Sequence, residues 1–256
     1  MSPDALYDRI AGIYDPWSVS VTEDVELYVA EALASGGPVV ELAVGTGRIA
    51  VPVAKAGIRL IGVDQSSAML ARAREYAERE GVSELVDLRQ GDLREPPVDE
   101  RVPLVTVPFR SLLHMADEEE KLRALRAAAS LLHPGGRLVF DVFAPSREDI
   151  EETDGLWLER EPGIFERADW DLRTRTLALS VRGGEEATTF ELHWLSAPEW
   201  HHLIEEAGLV VDDLYGWFDR RPYEGGEDQI WVCRRPRQTG ATSSPTRTVP
   251  GSSTSA

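Results

Sequence analysis

Apolar positions change period three times along the chain. Leu6, Ile10, Ile13 and Tyr14 recur at helical spacing, which predicts a helix from Asp4 to Asp15. A second helix is predicted from Thr22 to Leu33, with Thr22 as cap, Glu23-Asp24 facing the positive helix end, and Gly36-Gly37-Pro38 stopping it. The pattern then shortens. Val39-Val40-Glu41-Leu42 reads as a buried strand, Gly45-Thr46-Gly47 as a tight turn, and Arg48 to Ala56 as a helix. Arg59 to Val63 is a second strand ending at Asp64, and Ser67 to Arg79 a helix. Val86 to Arg89 is a third strand, followed by Gly91-Asp92, and Pro103 to Val107 a fourth. Glu118 to Leu132 is helical, His133-Pro134-Gly135-Gly136 turns the chain, and Arg137 to Phe143 is a fifth strand. Strands alternating with helices imply right-handed crossovers and a parallel sheet covered on both faces.

Residues 156–195 break that rhythm. Leu156 to Glu161, Ile164 to Asp171, Thr176 to Val181 and Thr188 to Trp194 read as four strands of an antiparallel insert, with Arg182-Gly183-Gly184-Glu185 as a strong turn. Pro198 to Ala207 is then a helix stopped by Gly208, and Leu209 to Gly216 and Gln229 to Arg234 close the fold. The expected division is a helical segment at 1–35, a core at 36–155, the insert at 156–197, closing elements at 198–236 and a disordered tail at 237–256, whose Ser, Thr, Gly and Pro have nothing to pack.

Composition narrows the class. The net charge of −18 opposes nucleic acid and anionic membrane surfaces, so neither is an expected partner. No apolar run approaches membrane-spanning length, and Met1-Ser2-Pro3-Asp4 carries an acid and no apolar stretch, so no signal peptide is expected there and a cytoplasmic protein is. The lone Cys233 excludes an intramolecular disulfide. Lys55 and Lys121 are the only lysines, a bias toward arginine that suggests a GC-rich bacterial genome.

The candidate chemistry gathers at strand ends. A strand feeding a helix through Gly45-Thr46-Gly47 brings backbone N–H groups to a ligand, although an ordinary βα turn uses the same residues. Asp64, 17 residues after Gly47, stands where an acid accepts both ribose hydroxyls. Asp92 stands where the adenine amino group would arrive, with the Leu93 amide facing a ring nitrogen. Each acid alone reads as a solvated loop residue; three features at successive strand ends favour a nucleoside site.

These residues resemble the class I S-adenosylmethionine methyltransferases over roughly residues 5–235. Glu41-Leu42-Ala43-Val44-Gly45-Thr46-Gly47-Arg48 matches the first motif, Gly62-Val63-Asp64-Gln65-Ser66-Ser67-Ala68-Met69-Leu70 the second, Gly91-Asp92-Leu93 the third, and Leu131-Leu132-His133-Pro134-Gly135-Gly136-Arg137-Leu138 the turn before strand five. The resemblance implies a Rossmann-like α/β fold with a seven-stranded sheet whose last strand is reversed. It implies S-adenosyl-L-methionine as cofactor, held by Tyr14, Glu41, Ala43, Gly45, Gly47, Asp64, Gln65, Met69, Gly91, Asp92, Leu93 and Pro108. Ala43 departs from the family's usual glycine, and its methyl group would crowd the methionyl part of the cofactor.

Within that family the sequence is most similar to small-molecule amine methyltransferases acting on glycine and amino sugars. In them the loop Pro108-Phe109-Arg110-Ser111-Leu112-Leu113-His114-Met115 lies beside the methyl group, and Tyr7-Asp8-Arg9-Ile10-Ala11-Gly12-Ile13-Tyr14-Asp15 belongs to a lid over the site. His114 is the expected base, or a helix-entry residue bonding to backbone, and Tyr14 the expected aromatic near the sulfonium, or a packing residue. Arg110, Ser111 and Trp17 are candidate acceptor contacts; Ser111 shaping the loop and Arg110 neutralising nearby acids are the plainer readings. The insert would cover the acceptor or form a contact in a homodimer. His193, His201 and His202 lack the spacing of a metal site, so no metal is expected. Two other readings remain open: a non-catalytic binding relative, and a nicotinamide oxidoreductase, against which Ala50 stands where a third glycine is usual.

Overall fold

The computed structural model describes residues 4–237, with side chains from Tyr7 onward. Of the expected tail at 237–256, Arg237 is described and the rest lies outside the described residues. The chain runs α1 (Asp4–Trp17), α2 (Glu23–Ser35), β1 (Val39–Leu42), α3 (Ala50–Lys55), β2 (Leu60–Asp64), α4 (Ser67–Arg79), β3 (Val86–Gln90), β4 (Val102–Val107), α5 (Glu118–Leu131) and β5 (Leu132–Phe143). There follow α6 (Arg147–Thr153), β6 (Trp157–Glu161), β7 (Ile164–Asp171), β8 (Thr176–Arg182), β9 (Thr188–His193), α7 (Ala197–Glu206), β10 (Val210–Tyr215) and β11 (Asp228–Arg234).

Seven strands form one sheet in the order β3-β2-β1-β4-β5-β11-β10. β1 to β5 are mutually parallel, and β11 runs against both β5 and β10. Alternating side chains send Val39, Leu60, Leu104 and Val139 to one buried face and Val40, Ile61, Val105 and Phe140 to the other. The first face is closed by Tyr28 and Ala32 of α2, the second by Ala124, Leu125 and Ala128 of α5 and Trp200 of α7. Both faces being apolar explains why the strands read as runs rather than as alternation.

Strand order reverses between β1 and β4, the place where open α/β sheets leave a crevice at their C-terminal ends. Over that crevice lies a second, four-stranded antiparallel sheet, β6-β7-β8-β9. Helix α1 joins the two. Its Ile10, Ala11 and Tyr14 pack with Met69 of α4, Ile164 of β7, Val181 of β8 and Phe190 of β9.

Several local expectations change. Thr22 precedes α2 but its hydroxyl caps nothing; the Glu23 carboxylate accepts the Thr22 N–H instead, at 2.9 Å. The predicted turn at 133–136 is a bulge inside β5. Val102 pairs with Leu132 and Leu104 with Arg137, and Gly135 at φ 87° donates its N–H to Arg235 O at 2.8 Å. Helix α3 begins at Ala50 rather than Arg48, because residues 45–49 wind as turns.

Candidate active site

The crevice holds a cavity of about 810 Å³. Its floor is the C-terminal ends of β1, β2 and β3, which bring Glu41, Asp64 and Gly91 to the wall with Ala43, Gly45, Gln65 and Leu93. Its roof is α1 and β9, which bring Tyr7, Tyr14, Phe190, Glu191 and His193.

Asp64 organises the floor. Its carboxylate accepts the Gly45 N–H at 2.8 Å and the Ser66 N–H at 2.9 Å, which ties the glycine turn to the start of α4. Burial raises its pKa, against the pull of those two backbone donors. Ser66 caps α4 through the Met69 N–H at 3.1 Å and donates its own hydroxyl to Asp8 of α1 at 2.5 Å. Met69 lines the cavity from the first turn of that helix.

Glu41 is 1% exposed, and its Oε2 has no hydrogen-bond partner among the described residues. Burial raises its pKa strongly; Arg48 opposes that, while Asp24 and Asp64 add to it. Arg48 is committed elsewhere, forking onto both oxygens of the buried Asp24 at 2.6 Å. An unpartnered acid beside a glycine turn fits a ligand that brings N–H donors and positive charge.

Ala43 stands at φ 60°. The expected difficulty was crowding of the cofactor by its methyl group; the structure places the strain in the backbone, in the left-handed region that glycine enters freely and alanine does not. Gly45 at φ 56° and Gly47 at φ 84° take the same conformation in the following turn. Gly47 sits behind the wall, packed near Ala73 and Val51.

The loop after β4 is shaped by a residue the sequence reading missed. Asp141, 4% exposed in mid-β5, accepts the Tyr28 hydroxyl at 2.5 Å and the N–H groups of Phe109 and Arg110 at 2.8 and 3.0 Å. It thereby holds Phe109 at φ 57° and Arg110 at φ 60°. Burial and the Asp24 charge push Asp141 up to about 6. Ser111 donates to Pro108 O at 2.6 Å and closes the turn, and Pro108, Ser111 and His114 all reach the cavity.

His114 meets a partner that was not anticipated. Its Nε2 lies 2.7 Å from the Tyr7 hydroxyl, across 107 residues of sequence. Phe190 packs on both rings, at 5.0 Å from Tyr7 and 6.2 Å from His114. Burial, then His193 and Lys121, lower the His114 pKa to about 4, so the ring is neutral at pH 7. Tyr14 lies beside Tyr7, ring centres 6.1 Å apart, and edge-on to Phe109 at 6.4 Å. Burial raises the pKa of the Tyr14 phenol.

Four candidates do not reach the wall. Gly47 is one. Asp92 faces Arg94 at 2.5 Å, and Arg94 also holds Glu120 at 2.5 Å; burial opposes but Arg94 keeps the Asp92 pKa below its ordinary value. Arg110 points to Asp228 at 3.0 Å and lies over the Phe143 ring, the neutralising arrangement weighed above. Trp17 donates its indole N–H to Glu166 at 3.1 Å. His201 and His202 lie on α7 beside Glu205 and Glu206, while His193 ends β9.

Comparison with known proteins decides the family. The Methyltransferase domain family matches residues 39–136, from β1 into the start of β5. A methyltransferase of Geobacillus kaustophilus is 30% identical over 197 residues, covering 75% of this chain and 84% of that protein. The chain belongs to the class I S-adenosylmethionine-dependent methyltransferases. A cypemycin N-terminal methyltransferase of a Streptomyces species is 26% identical over 244 residues, covering 91% of this methyltransferase and 98% of that one. The structure of the CcbJ methyltransferase from Streptomyces caelestis aligns with a TM-score of 0.81 at 27% identity, over 90% of this chain and 98% of that one. The seven-stranded sheet with β11 reversed is the fold the family resemblance implies, and the four-stranded antiparallel sheet is the insert read from the strand pattern of residues 156–195. S-adenosylmethionine is the cofactor, and the nicotinamide reading falls away.

Proposed function

We propose that this methyltransferase transfers a methyl group to a nitrogen of a small molecule held between the strand ends and the β9 wall. The observation that carries the reading is the Tyr7–His114 pair at 2.7 Å, set in one cavity with Asp64 and Glu41. Bound S-adenosylmethionine supplies a methyl group on a sulfonium, already a good leaving group. Asp64 takes the ribose hydroxyls, and Glu41, with the turn at Ala43 and Gly45, takes the methionyl end, Gly47 shaping that turn from behind the wall. Gly91, Asp92 and Leu93 border the adenine, which requires the Asp92–Arg94 pair to open or the backbone alone to serve. Gln65, Met69 and Pro108 complete the pocket.

The chain's own contribution is alignment, exclusion of water and custody of one proton. Tyr14 and Phe109 close the site around the reacting carbon, and Tyr14 presents an aromatic ring to positive charge. An amine must lose a proton before or as it attacks. His114, neutral at pH 7, takes that proton in passing and releases it to solvent as the amine attacks, and the Tyr7 hydroxyl at its Nε2 holds the ring. The 1–35 segment acts as lid and the 156–197 insert as acceptor cover. The charge of −18 supports an enzyme without nucleic-acid or anionic-membrane partners, and the cytoplasm is the location we propose for it. A homodimer through the insert is the oligomer we propose. The similarity to a methyltransferase named for an N-terminus supports nitrogen as acceptor atom.

The test is incubation of the enzyme and methyl-labelled S-adenosylmethionine with a lysate of its own organism. Label recovered on a small amine supports the proposal; label recovered only on hydroxyl or carbon acceptors overturns the choice of nitrogen.

A further inference from the structure

The charge distribution in the cavity restricts the acceptor further, on the reading that the acceptor is an amine. Among arginine and lysine side chains of the described residues, only Arg48 and Arg94 reach the cavity wall. Both are consumed. Arg48 forks onto Asp24 at 2.6 Å through two nitrogens, and Arg94 bridges Asp92 and Glu120 at 2.5 Å each. Lys121, 1% exposed, donates its ammonium to Met115 O inside the core. No guanidinium or ammonium at the wall is left to receive an anion.

Acids dominate the same wall. Glu41 and Asp64 belong to the floor, assigned above to the cofactor. On the roof, Glu191 of β9 lines the cavity, is exposed, and makes no ion pair among the described residues. Side chains alternate along β9, so Glu191 shares a face with His193, opposite the Phe190 ring that packs on the Tyr7–His114 pair, and it lines the cavity from this edge strand of the insert sheet. His193 is held by Thr176 at 3.3 Å, and burial, then Lys121, lower its pKa, so it offers no positive charge near neutrality. The aromatic surfaces of Tyr7, Phe190 and Phe109 supply apolar contact beside these acids.

We infer that the acceptor is an aromatic or otherwise apolar amine without a carboxylate or phosphate, and that Glu191 of β9 selects it by pairing with its positive charge. An anionic group on the acceptor would meet carboxylates with no free arginine or lysine of the described residues at the wall, the cofactor's sulfonium being turned to the reacting nitrogen, whereas an ammonium meets Glu191 on arrival and His114 as it is deprotonated. Like-charge juxtaposition across an interface is strongly unfavourable, so discrimination of about tenfold or more is expected.

The experiment uses three amines of one shape: 4-methylphenethylamine, 4-(2-aminoethyl)benzoate and 4-(aminomethyl)phenethylamine. Each is titrated calorimetrically into the full-length enzyme saturated with S-adenosylhomocysteine, and each is offered as acceptor with labelled S-adenosylmethionine. The diamine and the methyl compound should bind about tenfold or more tighter than the benzoate. Glu191→Gln should narrow that preference and Glu191→Lys abolish or reverse it; Glu191 is exposed, and unchanged thermal melts check that both variants fold. Equal or tighter binding of the benzoate overturns the inference, as does a ranking untouched by Glu191→Lys or binding of none of the three at millimolar concentration. The alcohol 4-methylphenethanol separates the two levels. Its methylation in preference to the amines sinks the nitrogen reading, while a benzoate methylated as well as its isosteres sinks only the charge selection.

Discussion

Ala43 at φ 60° is a residue in a conformation its side chain disfavours by about 1–2 kcal/mol. Ala43→Gly should therefore stabilise the fold by roughly 0.5–1 kcal/mol, part of the relief being offset by the freer unfolded chain. Denaturant unfolding measures this, and a destabilised variant would show that the methyl group packs usefully. Glu41 gives a prediction in pH. Its pKa is raised by burial, so in the empty site it binds a proton above the usual carboxylate range. A positively charged cofactor favours the ionised form, so affinity for S-adenosylmethionine should rise as pH climbs through that raised range and then level off. Glu41→Gln should flatten the rise; a wild-type affinity independent of pH from 5 to about 8 would contradict it. His114 works with the opposite sign of shift. Its pKa is about 4 in the fold against about 6.5 when unfolded, so the unfolded chain binds more protons between those values. Its contribution to stability is full above about pH 6.5 and is lost as pH falls toward about 4. Asp141, pushed up to about 6, opposes this slope over part of the same window, so the effect is read as the difference between wild type and His114→Phe. For turnover, His114→Ala should cost about 10²–10⁴-fold with cofactor affinity nearly unchanged, and full activity would reduce the histidine to a packing group.

At the scale of elements, helix α1 ties the site together. It reaches the floor through Asp8 on Ser66, the core loop through Tyr7 on His114, and the β-insert through Trp17 on Glu166. Docking of α1 therefore sets the orientation of His114. Tyr7→Phe removes one hydrogen bond worth about 1 kcal/mol and should lower kcat about fivefold, with the affinity for S-adenosylmethionine little changed. A larger loss in cofactor affinity than in kcat would place Tyr7 against the cofactor instead. Sequence periodicity identified most elements because each has an apolar face or run. Helix α6 escaped it: Arg147–Thr153 has Ile150 as its only large apolar residue, and its signal was the Ser146 and Asp149 box, where each side chain bonds the other's backbone. Tyr7 escaped for another reason. It lies two helical turns before Tyr14 on one face, and motif resemblance could not say which of the two meets the histidine. Asp141 had a readable signal, a single acid within the apolar run Leu138 to Phe143, although nothing local says which loop it would hold.

The molecule as a whole combines a sheet that was legible and a cavity that was only half so. The floor follows from motifs contiguous in sequence, Glu41 to Gly47, Asp64 to Met69 and Gly91 to Leu93, because a βα turn is built by neighbouring residues. The roof comes from α1 and β9, more than 170 residues apart in the chain, and no spacing rule joins Tyr7 to Phe190. Side-chain pairing was the other hidden layer. Asp92 and Arg110 carry suitable chemistry in the sequence, yet Arg94 and Asp228 turn them from the wall. The central claim is that the cavity beneath α1 is the S-adenosylmethionine site, anchored by Asp64. Calorimetric titration of the wild type and of Asp64→Ala with S-adenosylmethionine tests it most directly, with NAD as control. The wild type should bind one S-adenosylmethionine and no NAD. Hydrogen bonds to a charged acceptor contribute about 1.5–3 kcal/mol, so the variant should bind roughly ten- to a hundredfold more weakly while keeping its fold. Unchanged affinity in a folded Asp64→Ala protein would contradict the account.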